Sequence, residues 1–420
     1  MQCQISKRTL QLASEAETAL KDRFAEFDRI AFDGTRRVLS AFRNHRVSET
    51  MFSGTTGYGY DDTGREALDS IYAEVFGAES AFVRTSIVNG THALTIGLFG
   101  LLRPGDILLS VTGKPYDTLS EVIGIEDDNQ NGSLKNFGVC YRQVDLLPDG
   151  TVDLPSIRKV LTEQGNSVRV VFLQRSKGYS NRPSLSCEEI GRIVSVVRAC
   201  SSAFVMVDNC YGEFTQELEP TAAGADLIAG SLIKNPGGGI AETGGYLAGT
   251  KKAVELASYR LTAPGIGTEV GPTLGLSRSL FKGFFYAPHS VAQALKTAAL
   301  AAYIFESLGC SVSPRWNEPR FDIIQTIQCG SAEKLCAFCE GIQYASPVDA
   351  FVRPVPWAMP GYQDQVIMAA GAFTQGSSIE LSADGPLRPP YTAFLQGGLT
   401  YESGKYGILL ASELFSGRFA

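Results

Sequence analysis

Apolar positions in this chain recur with two different periods, and the change between them divides the sequence. Over residues 5 to 30, Leu12, Ala16, Ala19, Leu20, Phe24 and Phe27 fall on or near one side of a helix. From Glu66 to Gly77 a helical pattern returns and stops at glycine, a common C-terminal signal. Seven apolar, β-branched runs follow, at 81–88, 106–111, 139–146, 168–174, 203–208, 226–233 and 244–250. Helical segments separate many of them. Ser186 and Glu189 form a capping-box pair before the periodic run to Cys200. Asp153 is a natural N-cap for the segment LPSIRKVL. Several strands are apolar on both faces, so the pattern predicts an α/β domain of about 200 residues, with a mainly parallel sheet covered by helices.

Two stretches interrupt this alternation. Residues 52–65, FSGTTGYGYDDTGR, are too rich in glycine and tyrosine for a helix. They read as an ordered loop in which the tyrosines are not left in solvent. Near 285 the pattern changes again: Pro288-His289-Ser290 is expected to open a long helix ending at Gly309. Strand-like residues 321–329, a helix near 331–344 and Gly- and Pro-rich runs complete the chain. The expected organisation is a helical arm (1–50), a large α/β domain (51–285) and a small α+β domain (286–420), with no internal repeat.

Composition narrows the function classes. Of 420 residues, 44% are hydrophobic and 19% charged, below the roughly 25% of an average globular protein, so disorder is not expected. The net charge of −7 leaves no broad footprint for nucleic acid. Three histidines, His45, His92 and His289, argue against a His-built metal centre. Nine cysteines match no disulfide framework. Cys336 and Cys339 make the one CxxC, in a segment where Leu335, Phe338, Cys339 and Ile342 form a helical apolar stripe, which favours buried helix cysteines over redox or zinc chemistry. No signal-peptide core and no apolar run near the ~20 residues of a membrane span is present, so a soluble, cytoplasmic protein is expected.

Three pieces carry candidate chemistry. The apolar strand AFVMVD ends in Asp208; a turn aspartate is the plain alternative, but ligands of parallel sheets bind beyond the carboxyl ends of strands. Lys234 follows another apolar run and precedes Asn-Pro-Gly-Gly-Gly, where a desolvated lysine can act as an imine-forming nucleophile. Ser231, three residues earlier, offers a hydroxyl to a phosphate. Asn89-Gly90-Thr91-His92 joins a strand to an apolar helix whose first N–H groups make an anion site. Neither the P-loop nor the GxGxxG spacing occurs. A phosphate cradle, a carboxylate for a pyridinium and a lysine for an imine are what pyridoxal 5′-phosphate (PLP) requires of a protein.

With GAESAFVRTSIVNGTHAL, GKPYDTL, QRSKGYS, VMVDNCYGEF, SLIKNPGGG, FYAPHSVAQALK and LQGGLTY, the chain resembles fold-type I PLP enzymes of the cysteine/methionine-metabolism group. The closer resemblance is to the methionine gamma-lyase-like family, also called aluminium resistance proteins. The resemblance implies that Lys234 holds PLP as an internal aldimine and that Asp208 pairs with the pyridinium nitrogen. Gly90, Thr91 and Ser231 would bind the phosphate, and Tyr116 would stack on the ring. Tyr58 and Tyr60 lie where the family has a loop reaching the neighbouring subunit's phosphate. The usual Tyr-x-Arg is absent, and Arg65 lies further on, so which of the three reaches across stays open. A homodimer or homotetramer with shared active sites follows from the resemblance.

Arg388 is a candidate for the substrate carboxylate, because a guanidinium binds carboxylates bidentately; a surface-loop arginine is the alternative. Arg175, Lys177 and Tyr179 are candidates for the cofactor rim. His92 reads as a local hydrogen-bonding residue, since Lys234 already supplies a base. The implied activity is β- or γ-elimination of a thiol from a small, sulfur-containing amino acid, with Tyr116 or a neighbouring tyrosine as an acid at the leaving group. Transamination, racemisation, decarboxylation or γ-replacement on the same fold are alternatives. A PLP-binding stress protein without catalysis is another; Asp61-Asp62 and Glu126-Asp127-Asp128 are its candidate hard-cation groups, although such pairs are more often solvated turns.

Overall fold

The computed structural model describes residues 5–126, 131–180, 182–359 and 364–417. Asp127 and Asp128 lie outside them. Eleven helices among the described residues run in chain order: α1 (Lys7–Ala19), α2 (Lys21–Asn44), α3 (Thr63–Phe76), α4 (Gly90–Leu101), α5 (Asp117–Ile123), α6 (Leu154–Gln164), α7 (Cys187–Cys200), α8 (Lys251–Leu261), α9 (Ser277–Ser307), α10 (Ala332–Tyr344) and α11 (Tyr401–Phe415). The first sheet holds β1 (Ser80–Arg84), β2 (Ile107–Ser110), β3 (Cys140–Gln143), β4 (Val168–Gln174), β5 (Phe204–Asp208), β6 (Leu227–Ser231) and β7 (Gly245–Gly249) in the order β1-β7-β6-β5-β4-β2-β3. The second holds β8 (Ser311–Ser313), β9 (Gln325–Gln328), β10 (Val366–Ala369), β11 (Leu381–Pro386) and β12 (Thr392–Gly397) in the order β10-β11-β12-β9-β8.

Each of the seven apolar runs of the first half contains one strand of the first sheet. Five neighbours, β6-β5-β4-β2-β3, pair in parallel, and only β7 runs against its two neighbours. The central strands are buried on both faces, as their unbroken apolar runs require. One apolar layer includes Phe82, Leu108, Phe172 and Met206 under α4, and the other Leu109, Val171, Val205 and Ile228. The second sheet is antiparallel throughout; α9 and α10 pack against it, and α11 packs on both helices.

Local signals set several boundaries. Ser186 and Glu189 form the complete capping box of α7, and Asp153 caps α6. Gly77 ends α3 in the left-handed conformation at φ 66°. Leu335, Phe338, Cys339 and Ile342 form the buried side of α10, while Cys336 is half-buried.

Four expectations are corrected. The first helix is two, divided at Leu20, and the second continues to Asn44. The first strand stops at Arg84, and Thr85–Asn89 turn into α4. The long helix begins at Ser277, with Pro288 inside it, so the expected boundary at 285/286 falls within an unbroken helix. Pro288 is accommodated because α2 offers Gly34 opposite: a Cβ there would lie 3.0 Å from Pro288 Cβ. Buried residues lie all round α9, whose packing overrides the usual stop signal of proline.

The fourth correction concerns the tyrosine loop. It is ordered, but Tyr58 and Tyr60 project into solvent, 72% and 62% exposed, stacked on each other at 5.5 Å. Buried polar groups hold the loop instead. Arg65 is buried and donates to the carbonyls of Gly59 at 2.6 Å, Gly271 at 3.0 Å and Glu269 at 3.3 Å. Asp62 caps α3 through the Arg65 N–H and accepts from the hydroxyls of Thr55 and Thr273.

Candidate active site

The parallel strands deliver polar residues to one edge. Gln174 and Asp208 end β4 and β5 as register partners, and Ser231 ends β6. This is the carboxyl edge, where ligands of such sheets bind. A cavity of about 120 Å³ opens there, lined by Tyr116, Gln174, Ser176, Gly178, Tyr179, Asp208, Cys210, Tyr211 and Lys234 from the first sheet's side. Ile324, Asp384 and Gln396 close it from the second.

Lys234 sits at the entrance to a short turn whose next residues, Asn235–Gly237, form a 3₁₀ helix. The glycines beyond it press against α9. Gly238 has φ +59°, and a Cβ there would lie 2.4 Å from the Gly283 carbonyl oxygen, so no other residue fits without a shift. The lysine ammonium stands 4.0 Å from the centre of the Tyr211 ring. Burial opposes its charge, but Cys210, Tyr211 and Asp208 outweigh burial and raise its pKa above the ordinary lysine value. Burial pushes the Asp208 carboxyl up, against the pull of Lys234, the Cys210 N–H and Arg182. The Cys210 N–H donates to Asp208 Oδ1 at 3.1 Å.

The phosphate candidates meet the same lysine. A Cβ built on Gly90 would lie 3.0 Å from Cys210 Sγ, 3.8 Å from Ser231 Cβ and 3.9 Å from Lys234 Nζ, so glycine there keeps a gap open beside the amine. Ser231 is fully buried, and its Oγ has no hydrogen-bond partner. An orphaned buried hydroxyl is unfavourable unless something fills its place, and a phosphate oxygen fits that requirement. Gly90 and Thr91 open α4, whose N-terminal dipole favours an anion. Thr91 shares a hydroxyl hydrogen bond with Thr118 at 2.9 Å, which ties α4 to α5 just after Tyr116. The Tyr116 N–H donates to Gln174 Oε1 at 2.8 Å, and its ring lies 5.7 Å from that of Tyr179. These residues fit PLP.

The other candidates stand apart from the lysine. Arg175 does not line the cavity: it is fully buried behind Asp208, where it donates to Asn209 Oδ1 at 2.8 Å and pairs with Glu219 at 3.1 Å. That removes it from the rim. Lys177 is buried with its ammonium on the Ser313 carbonyl at 2.9 Å, and burial lowers its pKa to about 8. It lines an outer cleft of about 530 Å³ together with Arg388. Tyr116, Gln174 and Tyr179 line both cleft and cavity. Arg388 is 55% exposed and pairs with Asp364 at 3.0 Å. His92 accepts the Val88 N–H through Nδ1, a local bond of the α4 entry. Tyr58 and Tyr60 do not line the cavity, and Arg65 is committed to its own loop. Among the described residues no group of acidic, cysteine or histidine side chains is arranged to hold a metal ion.

Sequence reasoning missed Gln174, Cys210, Tyr211, Asp384 and Gln396. Gln174 had the same signal as Asp208, a polar residue ending an apolar strand. Cys210 and Tyr211 lay inside the quoted VDNCYGEF. Asp384 and Gln396 come from the second sheet, and only the packing of the two sheets brings them to Lys234.

Comparison with known proteins agrees with this geometry. Residues 9–415 match the family model described as methionine gamma-lyase. A solved carbon–sulfur lyase involved in aluminium resistance from Clostridium novyi NT is 53% identical, with a TM-score of 0.94 over 97% of this chain and 96% of that one. The uncharacterized protein YnbB of Bacillus subtilis (strain 168) is 51% identical over 402 residues, 96% of this chain and 95% of its own. The PLP-dependent protein YhfS from Escherichia coli, 16% identical with a TM-score of 0.61 over 91% of this chain and 95% of that one, shares the fold. Match, fold and cavity agree: the chain belongs to the methionine gamma-lyase family of PLP-dependent, fold-type I lyases.

Proposed function

We propose that the protein cleaves a carbon–sulfur bond in a small sulfur-containing amino acid by β- or γ-elimination, with Lys234 holding the cofactor and moving the substrate's Cα proton. The observation that carries this reading is the convergence of Lys234, Asp208, Gly90 and the unpartnered Ser231 hydroxyl at one buried edge. PLP, when bound, withdraws electron density from the substrate's Cα. Lys234 would hold its aldehyde carbon, Asp208 its ring nitrogen, and Gly90, Thr91 and Ser231 its phosphate.

The chain's own groups then have distinct tasks. Asp208 keeps a carboxylate against the ring nitrogen; the Cys210 N–H fixes its orientation. Tyr116, tied to Gln174, presents a flat face to the ring and a hydroxyl to the substrate. Lys234 Nζ, once released, takes the Cα proton, and its short tether keeps it within reach. A tyrosine hydroxyl, from Tyr116 or Tyr211, gives a proton to the departing sulfur. The balance is one amino acid and one water converted to a thiol, a 2-keto acid and ammonia. Arg388, which lines the outer cleft, would exchange its Asp364 partner for the substrate carboxylate.

The same reading makes the active form a homodimer or homotetramer, with Tyr58 and Tyr60 free to meet a neighbouring subunit's phosphate, since both are exposed and Arg65 is not. The test is a visible spectrum before and after borohydride, with peptide mapping, followed by an assay for thiol and keto acid. A yellow band that reduction fixes on Lys234, with thiol released, supports the reading. A protein that takes up no PLP, or that transfers the substrate's amino group to an added keto acid without releasing thiol, overturns it.

A further inference from the structure

Outside the cavity, two cysteines stand opposite each other in the second sheet. β8 and β9 pair with Ser311 opposite Gln328, Val312 opposite Ile327 and Ser313 opposite Thr326. One further step of the same antiparallel register sets Cys310 opposite Cys329. The Cys329 N–H donates to the Tyr391 carbonyl at 2.9 Å, on the β12 side, and the Cys310 N–H turns back to the Phe305 carbonyl at 3.0 Å. Neither N–H spans the gap between the two cysteines, so they form the closer, non-hydrogen-bonded kind of cross-strand pair. The α-carbons of such a pair lie about 4.5 Å apart, within the roughly 4.4–6.8 Å that a disulfide bridges.

The two thiols share one side of the sheet. Burial pushes both up, Cys329 to about 12; Lys334 of α10 pulls against it at both, and Cys310 itself adds to the rise at Cys329. Cys310 is half-buried and within reach of a solute, whereas Cys329 is buried. Cys336 and Cys339 also face Cys329, but they stand on α10 and have no strand register with it. The segment between Cys310 and Cys329 reaches the first sheet. Its Ser313 carbonyl holds the Lys177 ammonium, and Asp322 accepts the N–H groups of Lys177 and Ile324 at 3.1 Å each. Ile324 lines the cavity. A bond between the two cysteines would close this segment at its base.

We propose that Cys310 and Cys329 are a thiol-oxidation site, closing to a cross-strand disulfide on exposure to a low-molecular-weight disulfide and reopening with a dithiol. The Cys310 thiolate attacks one sulfur of the external disulfide RS–SR, forming a mixed disulfide and releasing RS⁻. The Cys329 thiolate then attacks the Cys310 sulfur, and the second RS⁻ leaves. The protons of the two cysteines end on two RSH, so two protein thiols are oxidised and one external disulfide is reduced. The bridge restricts the unfolded chain and pins the segment that carries Asp322 and Ile324. None of this depends on carbon–sulfur cleavage.

The test starts from the reduced holoenzyme at about pH 8.5, where more of each thiol is ionised than at neutrality, with glutathione disulfide as oxidant. Thiols titrated after unfolding should fall by two from nine, and trypsin under non-reducing conditions should leave residues 297–315 joined to residues 321–334. Dithiothreitol should restore all nine. Cys329→Ser should instead retain one glutathione on Cys310. The oxidised wild type should unfold at a higher urea concentration than the reduced form, a shift absent from Cys310→Ser. A count unchanged at nine overturns the proposal, and this measurement needs no variant to fold. So does a link to residues 335–353, which carry Cys336 and Cys339, or a glutathione adduct on Cys310 that the wild type never resolves. A bridge that leaves the urea midpoint unchanged overturns the pinning of the segment.

Discussion

The two ends of the cavity are built on different principles. At the lysine end every charged group meets an opposite or polar partner of the chain itself, while the buried Ser231 hydroxyl has none. At the second-sheet end the buried Asp384 carboxyl has Gln396 and Tyr179 as its side-chain partners, neither of them charged. The first arrangement suits a resident group common to many reactions. The second lies on the sheet farther along the sequence. Residues of both sheets thus share one 120 Å³ space.

The strongest way to sharpen that contrast is to remove the lysine. Lys234→Ala should lower turnover by on the order of 10³-fold or more and abolish borohydride labelling, with an unchanged circular-dichroism spectrum. Turnover within about ten-fold of wild type would break the assignment of chemistry to this end. Next comes the support beneath it. Gly238→Ala forces a Cβ to within 2.4 Å of a carbonyl oxygen at a positive φ. A loss of about 3 kcal/mol or more in urea unfolding is expected, with weaker PLP retention. Arg65→Ala leaves the carbonyls of Gly59, Gly271 and Glu269 without their donor, and a loss of about 2 kcal/mol is expected in the same experiment. Arg388→Ala, at an exposed position in the outer cleft, should raise KM about 10-fold and leave kcat within about three-fold.

The smallest effect is a slope. Burial raises the Asp384 carboxyl to about 7 and the Glu213 carboxyl to about 8, whereas both ionise near 4 in an unfolded chain. Between those limits the folded protein keeps protons that the unfolded chain releases. Their contribution to stability is therefore full below about pH 4 and falls as pH rises through the folded values. Asp384→Asn should make this fall shallower up to about pH 7, and Glu213→Gln up to about pH 8, in urea midpoints measured across pH. Parallel curves for variants and wild type would remove the carboxyl end's distinct character.

The lysine end was legible because its residues lie close to strand ends in sequence. Asp208, Ser231 and Lys234 follow apolar runs, and Gly90 follows a strand into a buried helix, so local pattern and topology together locate them. Tyr116 came from the family resemblance, and the structure places it beside Gln174 and Tyr179. Arg175 had the same local signal as Gln174, one residue before it. Its side chain nonetheless turns under the sheet to Glu219 and Asn209, because alternate residues of an extended chain face opposite ways. Pro288 misled in a similar manner: a proline stop signal is local, while the room made by Gly34 comes from another helix.

By itself the sequence determined the strands of the first sheet, several helix caps and the place of Asp208, Ser231 and Lys234 at or just past strand ends, since each depends on neighbours a few positions away. Tertiary structure alone decided that Arg65 is an internal anchor, that Tyr58 and Tyr60 are exposed, and that Asp384 and Gln396 close the cavity. Those outcomes depend on packing between segments up to some two hundred positions apart, as between Arg65 and Gly271, which no local period encodes.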